Sequence, residues 1–207
     1  MSILGDLIKQ SSIMKKTYDV LVTNPPYVGI KLMEDSLKEF IEKNYNVAKY
    51  DLFSAFIEMI TKKVTKIGHI GLITPYVWMF TFSYNNLRKY MINNNSITSL
   101  IQLEFNAFPE ACVQVCTFTM RNYYANICGE YIKLSDFKGA ENQPIKTLEA
   151  INNEVNYRYS VKLEQFKRIK GYPFGFWLTE KEIVAFEEGI PLSEIGEPKS
   201  GIMTGNN

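Results

Sequence analysis

The stretch Tyr18-Asp19-Val20-Leu21-Val22-Thr23-Asn24-Pro25-Pro26-Tyr27 decides the fold. Its first six residues are a largely apolar run of strand-forming types, the pattern of a short buried strand. Its last four place a rigid polar loop at the carboxyl end of that strand. Ligands of open α/β sheets bind at that edge. The loop also suits one chemical task, which is to hold an exocyclic amino group while a methyl cation is delivered to it.

An aromatic amine such as adenine N6 is a poor nucleophile because its lone pair is delocalised into the ring. Two acceptors placed off the ring plane can take both N6 hydrogens and draw the nitrogen toward tetrahedral geometry. The side-chain oxygen of Asn24 can be one acceptor. The main-chain carbonyl of Pro25 can be the other. Consecutive prolines, Pro25 and Pro26, fix φ at two positions and restrict the residues before them, so these groups are preorganised. Tyr27 then offers a flat face on which a base can stack. This reading asks only for the face, so Tyr27→Phe is expected to be mild. A general base is not required, because the methylated ammonium loses its proton to water. A strand followed by an ordinary proline turn is the plain alternative for the same residues.

Further along, Asp35 to Tyr45 reads as a polar helix. Asp51 to Lys66 carries Leu52, Phe53, Phe56, Ile57, Ile60 and Val64 at helical spacing, with Asp51 as its cap. Gly68 to Pro75 is the next strand, with glycines that admit neighbouring backbone and a proline that ends it. Ser83 to Asn93 suits a helix capped by Ser83. Ser96 to Glu104 and Cys112 to Arg121 are apolar, β-branched strands joined by a short loop, so they are expected to pair antiparallel. Phe108 in that loop is exposed by position and can stack on the face of a base opposite Tyr27; covering the sheet end is its other reading. Tyr76 and Trp78 follow a strand on the same edge, where lining the cleft and core packing are both open.

From about Gly129 the pattern changes. Strand-like Glu130 to Leu134 precedes a polar stretch and a short helix near Ile145 to Asn152. Tyr157 to Ser160 and Tyr172 to Leu178 are aromatic-rich. Thr179 to Glu188 is a helix with Thr179 as cap and Glu182 in the reciprocal position. Residues 1–128 and 129–207 are therefore read as a domain and an extension. Lys162, Lys167, Arg168 and Lys170 are the densest basic cluster; a solvated helix face is the simpler reading and phosphate contact the other.

The 207 residues suffice for one core. A 46% hydrophobic and 22% charged composition is that of a folded domain. The net charge of +1 gives no overall polyanion signal. The single histidine, His69, falls in an expected strand and reads as structural or exposed, which leaves none for a catalytic triad or a multi-histidine metal site within the chain. Cys112, Cys116 and Cys128 lack metal spacing and read as buried thiols. No apolar run reaches membrane-spanning length, and Met1 to Lys16 lacks the apolar stretch of a signal peptide, so a cytoplasmic setting without membrane contact is expected.

Four segments, in order, resemble the large adenine-specific (N6) DNA methyltransferases of restriction-modification systems, and within them the PglX type of BREX phage-defence systems. They are Asn24 to Tyr27, Tyr50 to Glu58, Gly68 to Pro75, and Asn106 to Pro109 with the strand after it. Ile195 to Asn207 resembles the start of that family's target-recognition region. The resemblance implies the carboxyl-terminal half of a Rossmann-like methyltransferase sheet with an antiparallel closing pair, followed by a short α+β linker. It implies S-adenosyl-L-methionine as cofactor, and double-stranded DNA and other defence-system subunits as partners. It implies Asn24, Pro25, Pro26 and Tyr27 as catalytic residues, with Tyr27 and Phe108 holding the adenine. The family's Gly-rich cofactor turn has no counterpart before the first strand, where Gly5 stands alone. The chain is thus expected to be an internal fragment that is inactive by itself. A non-catalytic DNA-binding or scaffold fragment, and an amino-methyltransferase acting on RNA or protein, are the rival readings.

Overall fold

A computed structural model describes residues 3–108 and 113–197. In chain order the elements are α1 (Ile3–Lys15), β1 (Tyr18–Thr23), α2 (Asp35–Asn44), α3 (Leu52–Lys63), β2 (Val64–Pro75), α4 (Asn85–Asn94), β3 (Ser96–Gln102), β4 (Val115–Arg121), β5 (Cys128–Lys133), α5 (Asn142–Asn152), β6 (Arg158–Lys162), α6 (Leu163–Phe166), α7 (Glu180–Glu188) and α8 (Leu192–Ile195). The strands form one mixed sheet in the order β1-β2-β4-β3-β5-β6. β1 and β2 are parallel, β4 runs antiparallel to both β2 and β3, β3 and β5 are parallel, and β6 closes antiparallel. The carboxyl ends of β1, β2 and β3 therefore share one edge. The expected antiparallel pair is β3 and β4; it lies inside the sheet, between β2 and β5, and not at an edge. The sheet continues past position 128 into β5 and β6 without a break.

Alternation along the strands separates two faces. On one, Ile70, Leu72, Leu100, Phe118, Met120 and Tyr131 join a core with Phe53, Ile57, Leu87 and Met91 from α3 and α4. Phe166, Phe174 and Phe176 complete it from the segment after β6. Trp78 lies at its centre, fully buried between Phe118 and Phe174, with its indole N–H donating to Thr74 Oγ1 at 3.1 Å. Trp78 is thus core and does not line the cleft. On the other face α5 covers Ile132 through Ala150, with Ile101 beside it. Toward β1 this face is open, with Val20 and Val22 60% and 74% exposed.

Local chemistry explains where elements begin and end. Asp51 caps α3 through a reciprocal pair with Ser54, and Thr179 caps α7 with Glu182. Both caps match the sequence pattern. The helix expected to reach Lys66 stops at Lys63, because Val64 is drawn into pairing with Tyr18 at the start of β2. Gly68 is needed there: a Cβ would lie 2.6 Å from the Asp19 carbonyl oxygen. Ser83 does not cap α4. It lies in a 3-10 turn, Phe82–Tyr84, and the helix begins at Asn85 because the buried Tyr84 ring is held against Phe53 at 5.7 Å.

The α1 helix was not foreseen, and none of its residues is buried. Tyr18 Oη donates to the Ile13 carbonyl and Lys63 Nζ to that of Met14, which ties its last turn to the sheet. Cys116 is buried and Cys128 exposed, so Cys128 departs from the buried-thiol reading; both are free thiols. Cys112, Pro109 and the tail from Pro198 lie outside the described residues. The basic cluster is not one helix face: Lys167 pairs with Glu164, and Arg168 with Glu180 and Glu187. Among the described residues no helix is long and apolar enough to cross a membrane.

Arg88 on α4 ties together segments that lie apart in the sequence. It is 1% exposed and donates to the carbonyls of Trp78 and Thr81, each at 2.7 Å, and of Gly171 at 2.8 Å. Burial pulls its guanidinium down to about 10. Arg88→Met would leave these buried carbonyls without their donor. We expect a loss of about 3 kcal/mol in unfolding free energy, read as a lower urea midpoint with an unchanged slope.

Candidate functional site

The loop after β1 cannot hold itself by main-chain bonds, because Pro25 and Pro26 have no N–H. Packing and side chains hold it instead. Pro25 is buried, Asn24 and Pro26 are exposed, and Tyr27 is half-buried. The Tyr27 ring packs against the main core, edge-on to Phe53 at 6.3 Å. Its hydroxyl donates to Asn24 Oδ1 at 2.7 Å and lies 3.3 Å from the Ile73 carbonyl oxygen of β2. Burial raises the Tyr27 phenol above its ordinary range, and the nearby Cys116 adds to this. The hydroxyl therefore stays protonated near neutrality and remains a donor.

Beyond Tyr27 the chain is clamped to the start of α3. The Val28 N–H donates to Asp51 Oδ1 at 3.1 Å, and the same oxygen caps α3 through Phe53 N–H at 3.2 Å. Leu52 N–H donates to the Val28 carbonyl at 2.9 Å and Ile30 N–H to that of Tyr50 at 3.1 Å, an antiparallel bridge centred on Gly29 and Asp51. Burial pushes the Asp51 carboxyl up, and the N–H groups of Phe53, Val28 and Leu52 pull it back. Asp51 thus does more than the helix cap read from the sequence: it fixes the exit of the Asn-Pro-Pro-Tyr loop.

Phe108 lies in the loop of residues 103–114 and is 44% exposed. Three interstrand spacings, roughly 14 Å, separate β1 from β3. The chain leaves β3 at the carboxyl edge, and Gln114, on the far side of the undescribed residues 109–112, stands beside β2, where its carbonyl accepts from Tyr76 N–H at 3.0 Å. Tyr27 and Phe108 therefore stand on one edge. Phe105 in the same loop is as exposed, at 43%, and was not singled out from the sequence. The base of the loop is fixed by α5: Gln143 Oε1 accepts from the Glu104 N–H at 3.1 Å while Gln143 Nε2 donates to the Phe137 carbonyl at 2.6 Å. Glu104 is itself buried and accepts from Asn106 N–H at 2.8 Å. Nothing in the local sequence marks Gln143 for this task. Tyr76, just after Pro75 at the end of β2, is half-buried, its phenol raised mainly by burial.

Three glycines leave no room for a Cβ because they abut backbone of their own framework: Gly68 the Asp19 carbonyl, Gly129 the Ile97 carbonyl and Gly189 the Ala185 carbonyl. None of them opens onto the loop edge. Among the described residues there is also no group of three metal-ligating side chains.

A mixed sheet with an antiparallel pair, carrying an Asn-Pro-Pro-Tyr loop at its carboxyl edge, defines the methyltransferase class of α/β folds. The chain belongs to the Eco57I restriction-modification methylase family, which matches residues 6–108. It is 31% identical, over 99% of its length, to the adenine-specific methyltransferase PglX of Lacticaseibacillus casei (strain Zhang). It is 30% identical, over 86% of its length, to the adenine-specific methyltransferase BrxX of Escherichia coli O9:H4 (strain HS). The chain spans 17% and 15% of those two relatives. Among solved structures, that of the DrdV–DNA complex superposes with a TM-score of 0.62 at 15% identity, covering 85% of this chain and 20% of that one. A type I restriction-modification assembly superposes with a TM-score of 0.59 at 15% identity, covering 89% of this chain and 42% of that one. These likenesses establish the fold.

Asp51→Ala removes the α3 cap and the Val28 clamp together. We expect a stability loss of about 1–2 kcal/mol, the upper range for a cap. We also expect faster hydrogen exchange at the Val28 amide than at amides of β2; equal protection in the variant would show that the clamp does not hold the loop.

Proposed function

We propose that this chain is the base-binding part of a longer DNA adenine N6-methyltransferase of a phage-defence or restriction-modification system. The enzyme transfers methyl from S-adenosyl-L-methionine to an adenine extruded from double-stranded DNA. The observation that carries the proposal is Asn24: an exposed carboxamide oxygen, held at the carboxyl edge by Tyr27, next to a buried proline. In this reading Asn24 Oδ1 and the Pro25 carbonyl accept the two N6 hydrogens. Their pull concentrates the lone pair on N6 and grows stronger as positive charge develops there. Pro26 holds the turn, and Tyr27 and Phe108 sandwich the ring. The donor's cradle lies outside the described residues, and residues 129–207 lead toward the target-recognition region. Homology of nearly the whole chain to adenine-specific methyltransferases supports the substrate; the exposed aromatic residues on the same edge support extrusion.

The test uses the full-length enzyme that contains this segment. Asn24→Ala removes an acceptor that matters most in the transition state. Single-turnover methylation should fall by roughly two orders of magnitude, with DNA affinity nearly unchanged. Methylation at the parental rate would remove Asn24 from the mechanism.

Phe108 is tested with 2-aminopurine at the target position. Extrusion raises its emission and aromatic stacking quenches part of it again. Phe108→Ala should restore emission and weaken extruded-base binding by about 1–3 kcal/mol. If neither changes, Phe108 is not the second face, and Phe105 or Tyr76 takes its place.

A further inference from the structure

We infer that the Tyr27 hydroxyl is a positioning group: it selects the orientation of the Asn24 carboxamide, so that oxygen and not nitrogen meets the substrate amine. The inference rests on the proposed amino-methylation and adds a second task to a residue otherwise assigned only a stacking face.

Asparagine side chains in loops usually bond to the backbone N–H two residues on. Here that position is Pro26, and the position before it is Pro25, so neither offers an N–H. The donor that Asn24 meets instead is the Tyr27 hydroxyl, 2.7 Å from Asn24 Oδ1. That hydroxyl has one proton and two acceptors around it. The Ile73 carbonyl, at 3.3 Å, is the more distant, so the proton belongs to Asn24. The ring is fixed by Phe53 and the core beneath it, so the donor does not move with the exposed side chain it holds.

The consequence is chemical. A carboxamide turned by a half-rotation would present its NH2 to the incoming NH2, two donors facing each other. With Oδ1 committed toward Tyr27, one lone pair is used and the other stays free for an N–H of the substrate. The pair of prolines and the tyrosine thus act together. The prolines remove the competing donors, and the hydroxyl supplies the one that sets the orientation.

The experiment is a double-mutant cycle in the full-length enzyme, read by single-turnover methylation, DNA affinity and 2-aminopurine emission. Tyr27→Phe keeps the ring and removes the donor. Its methylation rate should fall about tenfold, the value of one hydrogen bond expressed in a rate, with affinity and emission unchanged. In an Asn24→Ala background the same change should cost nothing further, because no carboxamide remains to orient. A parental rate in Tyr27→Phe overturns the inference. So does a loss that multiplies with that of Asn24→Ala, or a change in affinity or emission, which would place the hydroxyl in extrusion or folding. If the unaltered enzyme does not methylate adenine in DNA, the functional reading fails first, and the cycle distinguishes the two cases.

Discussion

Two prolines in succession at the end of a strand are the constraint on which this structure turns. A strand end normally finds main-chain partners in the turn that follows. Pro25 and Pro26 cannot supply donors, so the loop must be fixed by groups brought from elsewhere in the sequence. They come from two directions. Tyr27 reaches back to Asn24 and approaches the Ile73 carbonyl of β2, while Val28 is taken by Asp51 at the head of α3. The position of α3 and the exit of the loop are therefore one structural fact. Asp51 shares a single carboxylate oxygen between its own helix and the loop, so the first turn of α3 and the chain after Tyr27 are held by the same atom.

The core sits directly beneath this clamp. Phe53, the second residue of α3, touches Tyr27 on one side and Tyr84 on the other, and Tyr84 sets the start of α4. Packing on the covered face thus runs from the loop through α3 to α4 and on to Arg88, whose guanidinium gathers carbonyls from either side of a long sequence gap. The open face at β1 contributes nothing to this chain of contacts. The loop geometry belongs to the covered half of the sheet, and it is complete within it.

The sequence made most of the strands and the antiparallel pairing of β3 with β4 legible because hydrophobic alternation and proline punctuation are local signals. Pro75 ends β2 and Asp51 starts α3, as their types require. What was not legible was set by packing across distance. Val64 left its helical stripe for a partner in β1. Ser83 lost its cap to the burial of Tyr84. Asn24 and Tyr27 were readable as residue types; the bond between them was not, since it depends on the ring's tilt against Phe53. Gln143, which fixes the base of the Phe108 loop from α5, has no sequence mark at all. It is a long-range hydrogen bond between elements thirty-nine positions apart.

The site also explains what it does without. His69, the single histidine, sits opposite Arg121 midway along β2, six residues before Pro75. At strand rise that is roughly 20 Å from the carboxyl edge, too far to serve the loop as a base. Asp51 has its carboxylate turned into main-chain N–H groups behind the loop, and Tyr27 is kept protonated by burial. Among the described residues, then, neither Asp51 nor Tyr27 is poised to take a proton. For an amine whose methylated product is itself acidic, none is needed. What such an amine lacks is a localised lone pair, and that is supplied by acceptors whose direction is fixed before it arrives. In the proposed reaction, a loop stiffened by two prolines, clamped by one carboxylate and oriented by one hydroxyl would do this with uncharged acceptors alone. On that proposal, the rigidity that costs the loop its own hydrogen bonds is what would let its two oxygens act on the substrate nitrogen.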